Sequence, residues 1–122
     1  MNLSGKTVQY YMQMNKVTSG EILVVTDDLA IDSCMLRIRL KGSHGGHNGL
    51  RNIQELLTTQ EYPRLRFGIG NQFDKNRQIE FVLGKWKAEE QTVVDITIAK
   101  AVDAIKSFIL EGPGQAMTKY NG

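Results

Sequence analysis

The sequence lacks several features that mark particular classes of protein. It has one cysteine in 122 residues, Cys34, so an internal disulfide cannot form and a disulfide-stabilised scaffold is excluded. Its apolar runs, such as residues 22–25 and 81–83, are far shorter than the roughly 20 residues that a bilayer span needs. Its first residues do not combine a basic stretch with an apolar core. We therefore expect a cytoplasmic protein with no signal peptide and no membrane association.

An excess of charge of one sign is also lacking. Fifteen Lys and Arg residues face 13 Asp and Glu residues, which gives a formal net charge of +2. This balance neither requires nor excludes a polyanionic partner, because nucleic-acid binding depends on clustered charge. Basic side chains recur at every second position of two apparent strands: Arg37, Arg39 and Lys41 in one, and Arg64 and Arg66 in the other. Taken alone, this alternation favours solvent-exposed strand faces.

Strands separated by helices predict a layered α/β domain. Helices are predicted at 4–14, after the glycine-rich loop 42–49, and at 88–109, with a break at 112–114 and a last helical turn at 115–120. Strands are predicted at 21–26, buried on both faces, and at 35–41 and 64–70, each with one wet face. A mobile loop at 71–78 and a short apolar segment at 79–83 lie between them and the long helix.

Uncommon polar residues concentrate in three places: Asn2 beside Ser4, the pair Asp27-Asp28 at the end of a strand, and His44 with His47-Asn48 in the glycine-rich loop. Ligands of α/β sheets bind outside the carboxyl ends of strands, where the second and third of these places fall. Aspartate and histidine together suggest general-base chemistry. A metal site is less favoured because a third ligand is undefined, and a serine nucleophile because no nucleophile-elbow pattern is present.

Structural roles are open for the same residues. Asp27-Asp28 could close a strand, and Asn48 could be the N-cap of the helix that follows it. The glycine-rich loop matches neither the P-loop nor the dinucleotide-binding pattern, so nucleoside triphosphates and NAD are not expected as ligands.

Several short motifs, in this order and spacing, closely resemble the bacterial-type peptidyl-tRNA hydrolase family. They are MNLSGK at 1–6, LVVTDDL at 23–29, KGSHGGHNGL at 41–50, RLRFGIG at 64–70, FVLGK at 81–85 and AMTKYN at 116–121. The resemblance covers essentially the whole chain and implies an α/β fold in which a layered mixed sheet has helices on both of its faces. It implies hydrolysis of the ester that joins a peptide to its tRNA, which frees the tRNA for translation, with no metal or other cofactor.

The resemblance also assigns roles to individual residues. Asp27 and Asn2 match catalytic residues, the aspartate orienting the general base and the asparagine holding the attacking water. Asn2, Asn48 and His47 match substrate-binding residues, with His47 supporting the loop. Contacts to tRNA phosphates are implied for Arg39, Arg66 and Lys75, which changes the interpretation of the basic strand faces from solvated surface to phosphate clamp.

Family members carry βα elements and a general-base histidine before the Asn-Leu-Ser-Gly motif, and this sequence has neither. We therefore expect a single, N-terminally truncated domain at 1–122 that cleaves peptidyl-tRNA slowly or not at all by itself. The full-length family is expected to be monomeric, whereas uncovered sheet strands would favour self-association of this chain. Alternatives are a non-catalytic RNA-binding module on the same fold and an inactive remnant, although a pure binder has no need for Asp27, Asn2 and Asn48 together.

Overall fold

The computed structural model describes residues 3–70 and 88–121, with residues 88 and 89 described by their backbone alone. In chain order the elements are α1 (Ser4–Asn15), a 3-10 helix (Ser19–Glu21), β1 (Val24–Asp28), β2 (Leu36–Arg39), α2 (Asn48–Leu57), β3 (Arg64–Gly68), α3 (Ala88–Leu110) and α4 (Pro113–Tyr120). The predicted loop 71–78 and apolar segment 79–83 lie outside the described residues, as do Asn2 and Lys75.

The three strands form one sheet in the order β1-β3-β2. Hydrogen bonds at both ends of each strand pair give the directions: Val24–Pro63 and Ile69–Asp28 for the parallel pair β1 and β3, and Gly42–Gln60 and Gly68–Met35 for the antiparallel pair β2 and β3. The predicted α/β class with a mixed sheet is therefore confirmed. The extent of the domain, 1–122, stays a prediction.

The burial of the strands confirms one prediction and corrects two. In β2 the apolar and basic residues alternate between buried and exposed, as predicted. In β1 only Thr26 is buried and Val25 is 50% exposed, so the prediction of two buried faces was wrong. The predicted wet face of β3 was also wrong, because Arg64 is only 1% exposed and Arg66 is half-buried. As the middle strand, β3 has neighbours on both sides, which shield side chains that an edge strand would expose.

The described chain forms two compact units. The first comprises residues 3–26 and 38–65, and its core joins Leu50 and Ile53 of α2 to Tyr62. In this unit α1 packs on α2 at Gly5, whose amide donates to Asn52 Oδ1 at 2.7 Å. A Cβ atom at Gly5 would lie 2.6 Å from the Asn52 carbonyl oxygen, so only glycine permits this approach.

The second unit comprises residues 27–37, 66–70 and 88–121, and it contains the packed helices α3 and α4. The buried positions of α3 are small side chains one helical turn apart: Thr97, Ala101, Ala104 and Ser107. The predicted apolar face is only partly buried, since Ile98 and Val102 are exposed. The predicted break is confirmed at Gly112, which precedes α4, and Asn121 then forms a parallel bridge with Leu36 of β2.

Within residues 3–70 and 88–121, none of the helices combines the length and the apolarity that a membrane span requires.

Candidate active site

The glycine-rich loop of the first unit is held at its start by the backbone and by one arginine. The Gly42 amide donates to the Gln60 carbonyl at 3.3 Å, and Arg64 Nη1 donates to the Ser43 carbonyl at 3.4 Å. The loop then turns through Gly45 and Gly46, whose φ angles of 59° and 83° are readily adopted only by glycine. These contacts fix the start of the loop, which leads into the pair His47-Asn48.

Both histidines of the loop accept a backbone amide at Nδ1. His44 Nδ1 accepts from the Gly46 amide at 3.0 Å, which closes a tight turn within the loop. His47 Nδ1 accepts from the Leu50 amide at 3.2 Å and makes His47 the N-cap of α2. The interpretation of Asn48 as the N-cap was therefore wrong by one residue, and Asn48 is instead the first residue of the helix. An imidazole performs the capping that serine or aspartate usually performs.

The other ring nitrogen of His47 is engaged by β1. His47 Nε2 lies 2.8 Å from the hydroxyl oxygen of Thr26, which is buried. Because Nδ1 accepts a hydrogen from the Leu50 amide, the neutral ring carries its proton on Nε2 and donates it to Thr26. Both ring nitrogens are therefore hydrogen-bonded within the protein. This arrangement favours a supporting role for His47 over that of a general base.

Asn48 is exposed at the first position of α2, directly after this anchored imidazole. The next two residues, Gly49 and Leu50, are buried, and Leu50 belongs to the core of the first unit. The backbone that carries the Asn48 amide is therefore fixed on one side by the helix cap and on the other by the core.

Arg64 is the largest fully buried side chain among the described residues. Its guanidinium donates to three backbone carbonyls, those of Ser43, Gln60 and Tyr62, and lies 4.1 Å from the centre of the Tyr62 ring. The sequence suggested a solvent-facing cation, but the geometry is that of an internal clamp between the loop and the segment before β3. A planar fork of donors suits this task better than a lysine ammonium.

The second unit holds Asp27, Asp28 and Arg66. Arg66 Nη1 donates to Asp28 Oδ2 at 3.0 Å, and the other carboxylate oxygen of Asp28 accepts from the Ala30 amide at 2.8 Å. Asp27, the predicted catalytic carboxylate, is half-buried at the end of β1. Gly68 of β3 passes so close to the loop after β1 that an added Cβ would overlap the carbonyl oxygen of Asp32.

Arg39 is exposed at the end of β2, and its Nη1 donates to the Ile38 carbonyl at 3.0 Å. It shares the wet face of β2 with Arg37, as the alternation predicts. Of the three predicted phosphate contacts, Arg39 thus lies on an open surface, Arg66 is in an ion pair, and Lys75 is outside the described residues.

Sequence reasoning missed three structural interactions at these sites. They are the hydrogen bond of Thr26 to His47, the ion pair of Asp28 with Arg66, and the bonds of Arg64 to backbone carbonyls. Thr26 carried one signal, since it is a hydroxyl residue in an otherwise apolar strand immediately before Asp27. Among residues 3–70 and 88–121, no group of three or more His, Cys, Asp and Glu side chains is arranged to hold a metal ion.

Comparisons with known proteins find similar sequences and structures over nearly the whole chain. The family model described as peptidyl-tRNA hydrolase matches residues 1–122. Proteins named peptidyl-tRNA hydrolase from Porphyromonas gingivalis and Phocaeicola vulgatus are 46% and 49% identical over 121 residues, which is 99% of this chain. A crystal structure of peptidyl-tRNA hydrolase from Acinetobacter baumannii superposes with a TM-score of 0.86 at 34% identity, again over 99% of this chain.

The chain spans 65% of the length of each of the two curated relatives and 63% of the Acinetobacter baumannii chain. These matches cover nearly all of this chain and do not support the expected absence of N-terminal elements, which stays a prediction. The match over residues 1–122 includes every motif on which the resemblance was based. The chain belongs to the peptidyl-tRNA hydrolase family.

Proposed function

We propose that this chain takes part in the hydrolysis of peptidyl-tRNA. The observation that carries the proposal is the family match over residues 1–122, which spans the Asp27, Asn48 and Asn2 motifs together. In this reaction the oxygen of a water molecule attacks the ester carbonyl carbon. The ester bond to the ribose then breaks, one proton of the water passes to the ribose oxygen and the other is released, and the products are a free peptide carboxylate and a tRNA with a free ribose hydroxyl.

Two residues are proposed as catalytic. Asp27 orients the general base that takes the proton of the attacking water, and its half-buried position is compatible with a fixed carboxylate. Asn2 holds the water, and the same side chain contributes to substrate binding. Neither His44 nor His47 is proposed as the base, because the Nδ1 atom of each accepts a backbone amide.

Asn48 is proposed to contact the substrate and to shape its pocket, with His47 supporting the loop. The exposure of Asn48 at the first position of α2 supports this role, because an amide there can donate and accept hydrogen bonds with a ligand. The anchored ring of His47 keeps the backbone before Asn48 in one conformation.

Arg39, Arg66 and Lys75 are proposed to contact tRNA phosphates. Such contacts position a nucleic acid and add salt-dependent affinity without reading its sequence. The exposed guanidinium of Arg39 supports the assignment directly. For Arg66 the phosphate must compete with the carboxylate of Asp28, which is already 3.0 Å away.

The proposal is tested by mixing the 122-residue chain with a model peptidyl-tRNA and measuring released tRNA. Asp27→Asn should reduce turnover strongly, whereas Asp32→Asn, a matched change at an exposed aspartate of the following loop, should leave it unchanged. The expectation that the chain alone is slow is tested by the same rate, compared with that of a full-length relative. Tight binding with no turnover by the 122-residue chain, in an assay in which the full-length relative is active, would favour the RNA-binding alternative and contradict the proposal.

A further inference from the structure

We propose that Thr26 is a positioning residue that fixes the imidazole of His47 and, through it, the substrate-binding side chain of Asn48. The inference rests on the proposed function, because Asn48 matters here as a ligand of peptidyl-tRNA. None of the roles implied by the family resemblance involves Thr26. Its role follows from the contacts of its hydroxyl group.

The hydroxyl of Thr26 is the attachment point of His47 on β1. Thr26 is 9% exposed, and its oxygen lies 2.8 Å from His47 Nε2, across 21 residues of sequence. Its neighbours on the strand, Val25 and Asp27, are more exposed. A buried hydroxyl in a short strand needs hydrogen-bond partners, and the imidazole is one of them.

The ring of His47 is held at both nitrogens, at Nδ1 by the Leu50 amide and at Nε2 by Thr26. The capping bond alone holds one atom of the ring and leaves the ring plane free to turn about that atom. The second bond fixes the plane and the tautomer, as a partner group does for a metal-bound or catalytic histidine. The His47 ring thus connects β1 to the first turn of α2 through two hydrogen bonds.

Asn48 directly follows His47 in the chain. Its backbone enters α2 directly from His47, whose φ and ψ of −77° and 117° turn the chain into the helix. A change in the His47 ring is therefore transmitted to the position of the Asn48 side chain through one peptide unit. Small displacements of a binding group weaken a ligand contact even when the protein remains folded.

The structural half of the inference is tested by NMR on the 15N-labelled 122-residue chain. A long-range proton–nitrogen spectrum of the imidazoles should show His47 as a single tautomer with the proton on Nε2. Thr26→Val, which keeps the shape of the side chain and removes the hydroxyl, should shift the His47 signals toward a mixture of tautomers. Thr26→Ser should restore the wild-type pattern. An unchanged His47 spectrum in Thr26→Val would overturn the inference.

The functional half is tested by the affinity for a peptidyl-tRNA analogue that has an amide in place of the ester. Thr26→Val should weaken binding roughly 3- to 10-fold, about the effect of one net hydrogen bond, and Thr26→Ser should recover it. Where turnover is measurable, KM should rise with little change in kcat. Thr118→Val is the matched control, since that hydroxyl is exposed on α4 and bonds only within its helix, to the Gly114 carbonyl.

A second variant covers the case in which Thr26→Val does not fold. His47→Asn keeps a good capping residue but is too short to reach Thr26, so it should weaken the analogue to the same degree. In the double variant the two losses should not add, because both remove one contact. Wild-type affinity in His47→Asn would overturn the inference and leave the proposed function standing. If the wild-type chain does not bind the analogue at all, the proposed function fails first, and the inference about Asn48 falls with it.

Discussion

Arg66 Nη1 lies 3.0 Å from Asp28 Oδ2, and each of the two side chains is 15% exposed. The pair joins the last residue of β1 to the middle strand β3 within the second unit. A cation proposed to contact tRNA phosphates is thus already neutralised by a carboxylate of the same chain. Phosphate and carboxylate present similar oxygens to a guanidinium, so the two can exchange on Arg66.

We predict that Arg66→Gln weakens the binding of tRNA about equally for different tRNAs. Because one phosphate contact is lost, the slope of log affinity against log salt concentration should become shallower by about 1. Binding titrations at several salt concentrations measure this slope. Arg51→Gln is the control, since Arg51 is exposed on α2 and pairs with Glu55 four residues on. Equal slopes in both variants would contradict the prediction.

The complementary change is Asp28→Asn, which keeps an oxygen for the Ala30 amide and removes the competing charge. We expect tighter tRNA binding, because Arg66 then meets a phosphate without giving up an ion pair. The same titration checks this. Weaker binding by a folded Asp28→Asn chain would show that the ion pair presents Arg66 to the ligand instead of competing with it.

We predict that Arg64→Met destabilises the protein by roughly 2–4 kcal/mol, since three backbone carbonyls lose charged donors at a fully buried position. Urea unfolding gives the free energy of unfolding. Arg37→Met, at an exposed position of β2, should change that energy by less than about 0.5 kcal/mol. If the two variants are equally stable, Arg64 does not clamp the loop.

Replacing each of two helical glycines by alanine should change the free energy of unfolding in opposite directions. Gly5→Ala should destabilise the protein by roughly 1–3 kcal/mol, because the added methyl group meets the Asn52 backbone where α1 packs on α2. The methyl group of Gly114→Ala in α4 meets no atom of the described residues within 4 Å, so this variant should stabilise the protein by up to about 1 kcal/mol through helix propensity. Thermal or urea unfolding of both variants tests the difference. Stabilisation by Gly5→Ala would contradict the close packing of the two helices.

The corner between α3 and α4 should contribute stability that is lost in acid. Lys119 Nζ donates to both carboxylate oxygens of Glu111 at 2.9 Å, and Ser107 donates to one of them. These bonds hold the pKa of Glu111 below its ordinary 4.5, with Lys119 the larger cause. The contribution is therefore complete above pH 4.5 and disappears as the pH falls through the lower pKa of the folded state.

The measurement is the melting temperature of Glu111→Gln and wild type as a function of pH. The variant should melt slightly lower near neutrality, and the two curves should converge as the pH falls through the lowered pKa of Glu111. The effect is small because both side chains are largely solvated. Glu61→Gln, an exposed glutamate outside this corner, should show no such convergence. A difference that persists in strong acid would exclude the ion pair as its source.

The amino-acid sequence by itself placed the starts of the described helices to within one or two residues. The apolar spacing of α1 and α2 and the break at Gly112 depend on residues within a few positions of each other, so a local pattern was sufficient. The same holds for the alternation of β2, whose basic residues are exposed as predicted. The motifs around Asp27 and Asn48 could also be recognised from the sequence, because each consists of particular residue types at short spacing.

Only the tertiary structure decided which side chains were buried and which were paired. Arg64 is internal and Arg66 is in an ion pair because β3 is the middle strand, and strand order depends on contacts between distant segments. The hydrogen bond between Thr26 and the His47 ring likewise joins residues 21 positions apart, which no local pattern relates. Periodicity describes one segment at a time, whereas burial and hydrogen bonding depend on which segments the folded chain brings into contact.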